Sequence, residues 1–211
     1  MITAVLSFVC VFLAPQLWAK ELRVGMPTEP WDLDPAIRTD TGSGYLIKNI
    51  YDPLIEIDAD NRVTSTFALA TSWEWQNEAK TIIFHLREGV KFHDGTDFTA
   101  HDVKYNIEWQ LDEDNNAPNK GLIGPVKDVQ VIDDHTLRVD FTAPYTDALM
   151  QWSRALDGIV PEGAHGVRSE EKGASGIIGT ELSRAPVGTG PFKFVKWVSG
   201  SHITLEKFDD Y

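Results

Sequence analysis

The side chains able to do covalent or metal chemistry do not stand at the spacings such chemistry needs. His85 and His93 lie eight positions apart, with Asp94 and Asp97 close by. That separation matches no standard metal-ligand pattern, so no metal site is expected. Gly188-Thr189-Gly190 is a two-glycine turn, but no phosphate-binding lysine follows it and no helix opens there. It reads as a tight strand start. No G-x-S-x-G nucleophile elbow occurs. The acidic pairs Asp133-Asp134 and Asp209-Asp210 read as turn residues. The single cysteine, Cys10, lies in an apolar leader, so the rest of the chain has no disulfide, thiol nucleophile or cysteine metal site. The expectation is a protein that is not an enzyme and holds no cofactor.

Binding chemistry has better candidates. Thr28, Glu29 and Trp31 sit in a loop that carries Pro27, Pro30 and Pro35. Three prolines so close together forbid a regular helix or central strand. A rigid loop at a strand end is where sheets place ligand contacts. Glu29 offers a counter-charge to a ligand amine, and Trp31 an aromatic wall. Tyr105 and Trp109 lie on the second face of a helix, where Tyr105 offers a hydrogen bond while its ring packs. Two readings stand for that second face: structural cover by another part of the fold, or contact with a ligand in a cleft.

The elements that position these residues centre on residues 82–111. Ile82, Phe84 and Leu86 alternate as a strand with one buried face. Glu88-Gly89 and Asp94-Gly95 are turns. Thr99 with Asp102 predicts a capping-box helix start. Val103, Ile107 and Leu111 then form a buried stripe at a spacing of four. Elsewhere the pattern predicts a first strand at 20–25, a short helix at 45–51, and a strand at 54–57 that turns back through 58–61. It also predicts an exposed loop at 112–124, a hairpin at 126–141 and a helix at 145–156. A brief strand at 159–161, a mobile glycine-bearing stretch at 162–183 and a hairpin from 192 onward complete the series.

The chain has 211 residues and a net charge of −13. It is long enough for one domain or one large lobe with a real core. The acidity argues against nucleic acid as a partner. Residues 2–14 are almost unbroken apolar sequence, too short to span a bilayer and right for a signal-peptide core. Residues 1–19 are therefore expected to be a signal peptide cleaved after Ala19, with a retained anchoring segment as the alternative.

The run "LREGVKFHDGTDFTAHDVKYNIEW", followed later by "VGTGPFKFVKW", resembles the family 5 extracellular solute-binding proteins. These are periplasmic receptors of ABC importers for di- and oligopeptides, nickel and related solutes. Leu33-Asp34-Pro35 and the Trp73 region fit the same family in the same order. The resemblance covers essentially residues 20–211. It implies a mixed α/β (α+β) fold, the first lobe of a type II periplasmic-binding-protein architecture. Residues 20–44 and 183–211 would form a scaffold subdomain, and 45–182 an inserted one. The second lobe is missing from this sequence, so it reads as an N-terminal part that alone binds peptides weakly or not at all. The implied role is capture of peptides or a similar small solute in the periplasm, by a monomer that docks on ABC permease subunits. The alternatives are a secreted hydrolase fragment or a non-transport interaction domain on the same fold.

Overall fold

The computed structural model describes residues 21–166 and 179–211. The expected signal peptide lies outside these residues, as does most of the stretch expected to be mobile. Helix α1 spans Thr41–Ile50 and begins earlier than the sequence pattern suggests. Asp40 is the reason: its carboxylate accepts the Ser43 N–H at 2.9 Å and caps the first turn. Strands β1 (Glu56–Ile57) and β2 (Val63–Thr64) form a small antiparallel pair across the expected turn.

The main sheet is antiparallel, in the order β3-β4-β6-β5, with β3 Ala70–Gln76, β4 Thr81–Leu86, β5 Val126–Asp133 and β6 Thr136–Phe141. The expected hairpin at 126–141 is present, with its turn at Asp134-His135. Ile82, Phe84 and Leu86 point to one face and are buried. On that face they join Leu137 and Val139 of β6 and Val129 of β5 in one core cluster. Burying each such side chain contributes about 1.5–3 kcal/mol.

Helix α2 (Ala100–Leu111) covers this face. Its capping box is complete: Thr99 accepts from the first turn, and the Asp102 carboxylate accepts the Thr99 N–H at 2.7 Å. Val103 and Ile107 are fully buried. Helix α4 (Ala148–Ala155) adds Trp152, which stacks on Phe84 at 5.7 Å and donates its indole N–H to the Ile123 carbonyl at 3.0 Å. A final hairpin, β7 (Phe192–Val198) with β8 (His202–Lys207), forms a separate two-stranded sheet.

Four expectations need correction. Residues 21–25 make no strand; Leu22 and Val24 are exposed because no neighbouring strand offers them a ladder. The region 112–124 is not simply an exposed loop. It contains a short helix, α3 (Lys120–Ile123), and buries Ile123 under Trp152. Residues 159–161 form no strand; the Val160 backbone bonds instead to the side chain of Asn106. Within 162–183, residues 162–166 turn back onto α2 and 181–183 form a 3₁₀ turn. The part at 167–178 lies outside the described residues.

The "GTG" turn has a packing explanation. A Cβ on Gly188 would sit 2.2 Å from the Ile50 carbonyl oxygen, and one on Gly190 2.7 Å from the Ile50 carbonyl carbon. Only glycine lets this strand start press against the end of α1. The Gly190 N–H donates to the Ile50 carbonyl at 2.9 Å. His93 fastens the same turn from the other side, with Nε2 2.8 Å from the Gly190 carbonyl.

Candidate solute-facing surface

The first loop is held rigidly by short side chains. Ser43, in the first turn of α1, accepts the backbone N–H groups of Trp31 and Asp32 at 3.2 Å each. Thr28 rests on the same turn, where Gly42 leaves the room: a Cβ there would meet Thr28 Oγ1 at 3.0 Å. Trp31 remains exposed at 45%. Glu29 points to the far hairpin. Its carboxylate accepts the Trp197 indole N–H at 2.7 Å and the Gly200 N–H at 3.1 Å. The Trp197 bond, then the Gly200 bond, hold its carboxyl below the usual range. Glu29 thus ties the loop to the β7–β8 turn.

Five residues after Glu29, the loop enters the interior. Asp34 is fully buried and accepts the Ala36 N–H at 2.8 Å and the Thr180 hydroxyl. Asp32 is partly buried, and burial pushes its carboxyl up to about 6 despite bonds from the Asp34 N–H and Ser183.

The second face of α2 meets this network. His165, only 1% exposed, stacks on Trp109 at 3.9 Å with an interplanar angle of 12°. Its Nδ1 lies 2.8 Å from the Tyr105 hydroxyl oxygen, which also accepts the His165 backbone N–H at 3.3 Å. Nε2 faces Asp34 Oδ1 at 3.4 Å without a well-aligned hydrogen bond. Burial raises the Tyr105 hydroxyl above its ordinary value.

The five sequence-predicted site residues therefore fall into two groups. Thr28, Glu29 and Trp31 share one surface loop, with Trp31 open to solvent. Tyr105 and Trp109 are half-buried and engaged by His165. Asp34 links the groups, since it belongs to the loop and faces His165.

Sequence reasoning missed His165, which sits among glycines, and a polar stripe on α2. Asp102, Asn106 and Gln110 are all buried at a spacing of four. Each bonds the backbone of the returning segment: Asp102 takes the Glu162 N–H, Asn106 both Val160 groups, and Gln110 the Ala155 carbonyl. The spacing was a visible signal for that stripe. Among the described residues, no helix is long and apolar enough to cross a membrane.

The family model "Bacterial extracellular solute-binding proteins, family 5 Middle" matches residues 66–211. The chain belongs to this family. Among the most similar family 5 relatives is the glutathione-binding protein GsiB of Pectobacterium atrosepticum, 28% identical over 94% of the chain. Another is the oligopeptide-binding protein OppA of Bacillus subtilis, 30% identical over 90% of the chain. The chain spans 37% and 36% of their lengths, respectively. Among solved structures, AgaA from A. tumefaciens R10, in complex with agropinic acid, aligns with a TM-score of 0.73 at 30% identity. It covers 87% of this chain and 35% of that one. The oligopeptide-binding protein AppA of Bacillus subtilis, in complex with a nonapeptide, aligns at 0.72 and 25% identity, covering 90% and 36%. The mixed α/β fold is that of these substrate-binding proteins.

Proposed function

We propose that the chain is a solute-capturing part of an ABC importer's periplasmic receptor, holding peptides or a related small solute for delivery to inner-membrane permease subunits. The observation that carries this reading is membership in a family whose similar members are named for binding glutathione and oligopeptides. In this reading the protein acts as a monomer, without cofactor, after cleavage of the leader behind Ala19. Residues 20–44 and 183–211 act as the scaffold and 45–182 as the inserted subdomain; the Glu29 bonds to Trp197 and Gly200 support that pairing.

A peptide receptor must pair main-chain groups while tolerating varied side chains, and aromatic walls on a rigid loop suit that task. Trp31 and Thr28 are the open contacts, with Glu29 fixing their loop. Tyr105 and Trp109 form the floor behind it through His165. Two lobes gain affinity by closing on a ligand. The chain covers about a third of its relatives' length, so by itself it binds peptide weakly. Titration of the ¹⁵N-labelled chain with short peptides tests this: the Trp31 indole signal moves in fast exchange at millimolar peptide. Micromolar affinity measured by calorimetry would refute the one-lobe argument. Absence of any Trp31 response would refute the assigned surface.

A further inference from the structure

The arginines differ in what occupies them. Arg23, Arg38, Arg62 and Arg138 are ion-paired with neighbouring carboxylates. Arg87 directs its guanidinium at the backbone carbonyls of Ser65, Thr66 and Ala68. Arg154 and Arg184 form neither kind of bond among the described residues, and of the two only Arg184 is set against an aromatic ring. The Arg184 guanidinium carbon lies over the Trp197 ring, 3.8 Å from the ring centre, and the residue is exposed.

Stacking of this kind fixes the plane of the guanidinium while leaving its N–H edge free. The ring beneath it is itself fixed, because Trp197 Nε1 is held by Glu29. Beside the stack is a surface cleft of about 230 Å³ lined by Arg184, Phe194, Trp197 and Ser199. The Arg184 charge is felt by Glu29 and Asp32; the Glu29 oxygens already accept the Trp197 and Gly200 N–H groups, Asp32 accepts the Asp34 N–H, and neither is ion-paired with Arg184. The guanidinium edge is thus an oriented, unpaired donor fork over an aromatic floor, next to the loop that carries Trp31.

We infer that Arg184, laid on Trp197, is a carboxylate seat of the solute-facing surface. The substrate class it selects is a solute with a free carboxylate, such as a peptide with an unblocked C-terminus. Placing a peptide there rests on the receptor reading above. The carboxylate preference itself rests on the geometry of Arg184.

The test follows the Trp197 indole N–H in ¹⁵N spectra of the full chain, with three probes: trialanine, its C-terminal amide, and acetate. Trialanine and acetate are expected to move the Trp197 signal. The amide is expected to bind about tenfold or more weakly than the acid, the scale of one charge-assisted pair. Arg184→Gln removes the difference, while Arg184→Lys, which keeps the charge but loses the fork, retains part of it. Unchanged spectra of both variants away from β7 and β8 show that the fold is intact. If acid and amide move Trp31 equally and acetate moves nothing, the seat is refuted and the receptor reading stands. If acetate moves Trp197 through Arg184 but the peptides add nothing beyond it, the seat stands and the peptide reading fails. Silence towards all three probes overturns both.

Discussion

Replacing Asn106 by Ala tests how α2 holds the segment that brings His165 to Trp109. Asn106 is 3% exposed. Its amide nitrogen donates to the Val160 carbonyl at 2.8 Å, and its oxygen accepts the Val160 N–H at 3.3 Å. Val160 is fully buried and belongs to no strand, so no other group satisfies its backbone. The substitution orphans one buried carbonyl and one buried N–H, each costing about 1–3 kcal/mol. The N–H bond is long, so the lower half of the range applies to it, and the expected loss is about 2–5 kcal/mol. With a urea slope of about 1–3 kcal/mol per molar, the midpoint falls by roughly 1–2 M. Equilibrium urea unfolding followed by far-UV circular dichroism reads this out. Hydrogen exchange at Val160 should accelerate in step, because its N–H loses its partner. A midpoint shift below about 0.3 M, with Val160 still protected, would refute the claim that side-chain amides replace a strand ladder here.

Three further outcomes follow from the electrostatics. Burial holds His93 below its ordinary value of 6.5, so the fold favours the neutral ring; stability is full above pH 6.5 and declines as pH falls below it. Urea midpoints between pH 7.5 and 5 should show the decline, and His93→Gln should flatten it. Asp32 has the opposite sign: its carboxyl rises from 3.8 to about 6, so its contribution is full below 3.8 and lost as pH rises through 6. Asp32→Asn is expected to stabilise the chain by about 3 kcal/mol at pH 8 and by nothing at pH 3, given about 1.4 kcal/mol per pH unit. Finally, the Trp197 indole signal should titrate with Glu29 at a midpoint below the ordinary 4.5, and Glu29→Gln should abolish that titration.

Periodic local signals were the readable part of the fold. The alternation of Ile82, Phe84 and Leu86, the Thr99–Asp102 box and the Val103–Ile107 stripe each reflect a single element burying one face. The hairpin at 126–141 announced its turn through Asp133 and Asp134. What was hidden depends on distant partners. Alternation at 20–25 marked a strand, yet a strand needs a neighbour, and among the described residues none pairs with 21–25. Val160 lost its expected strand because a helix side chain met its backbone first. Two readings stood for the second face of α2; the residue that packs on it, His165, is a lone imidazole among glycines whose position is set by the turn after Pro161. Arg184 and Trp197 stand thirteen positions apart, and nothing in their spacing announces a stacked pair.

Native mass spectrometry of the protein released from its own source cells by osmotic shock tests the central claim most directly. The receptor account predicts that the protein appears in the shock fluid without residues 1–19. Retention of the protein inside the spheroplasts with residues 1–19 still attached would contradict it.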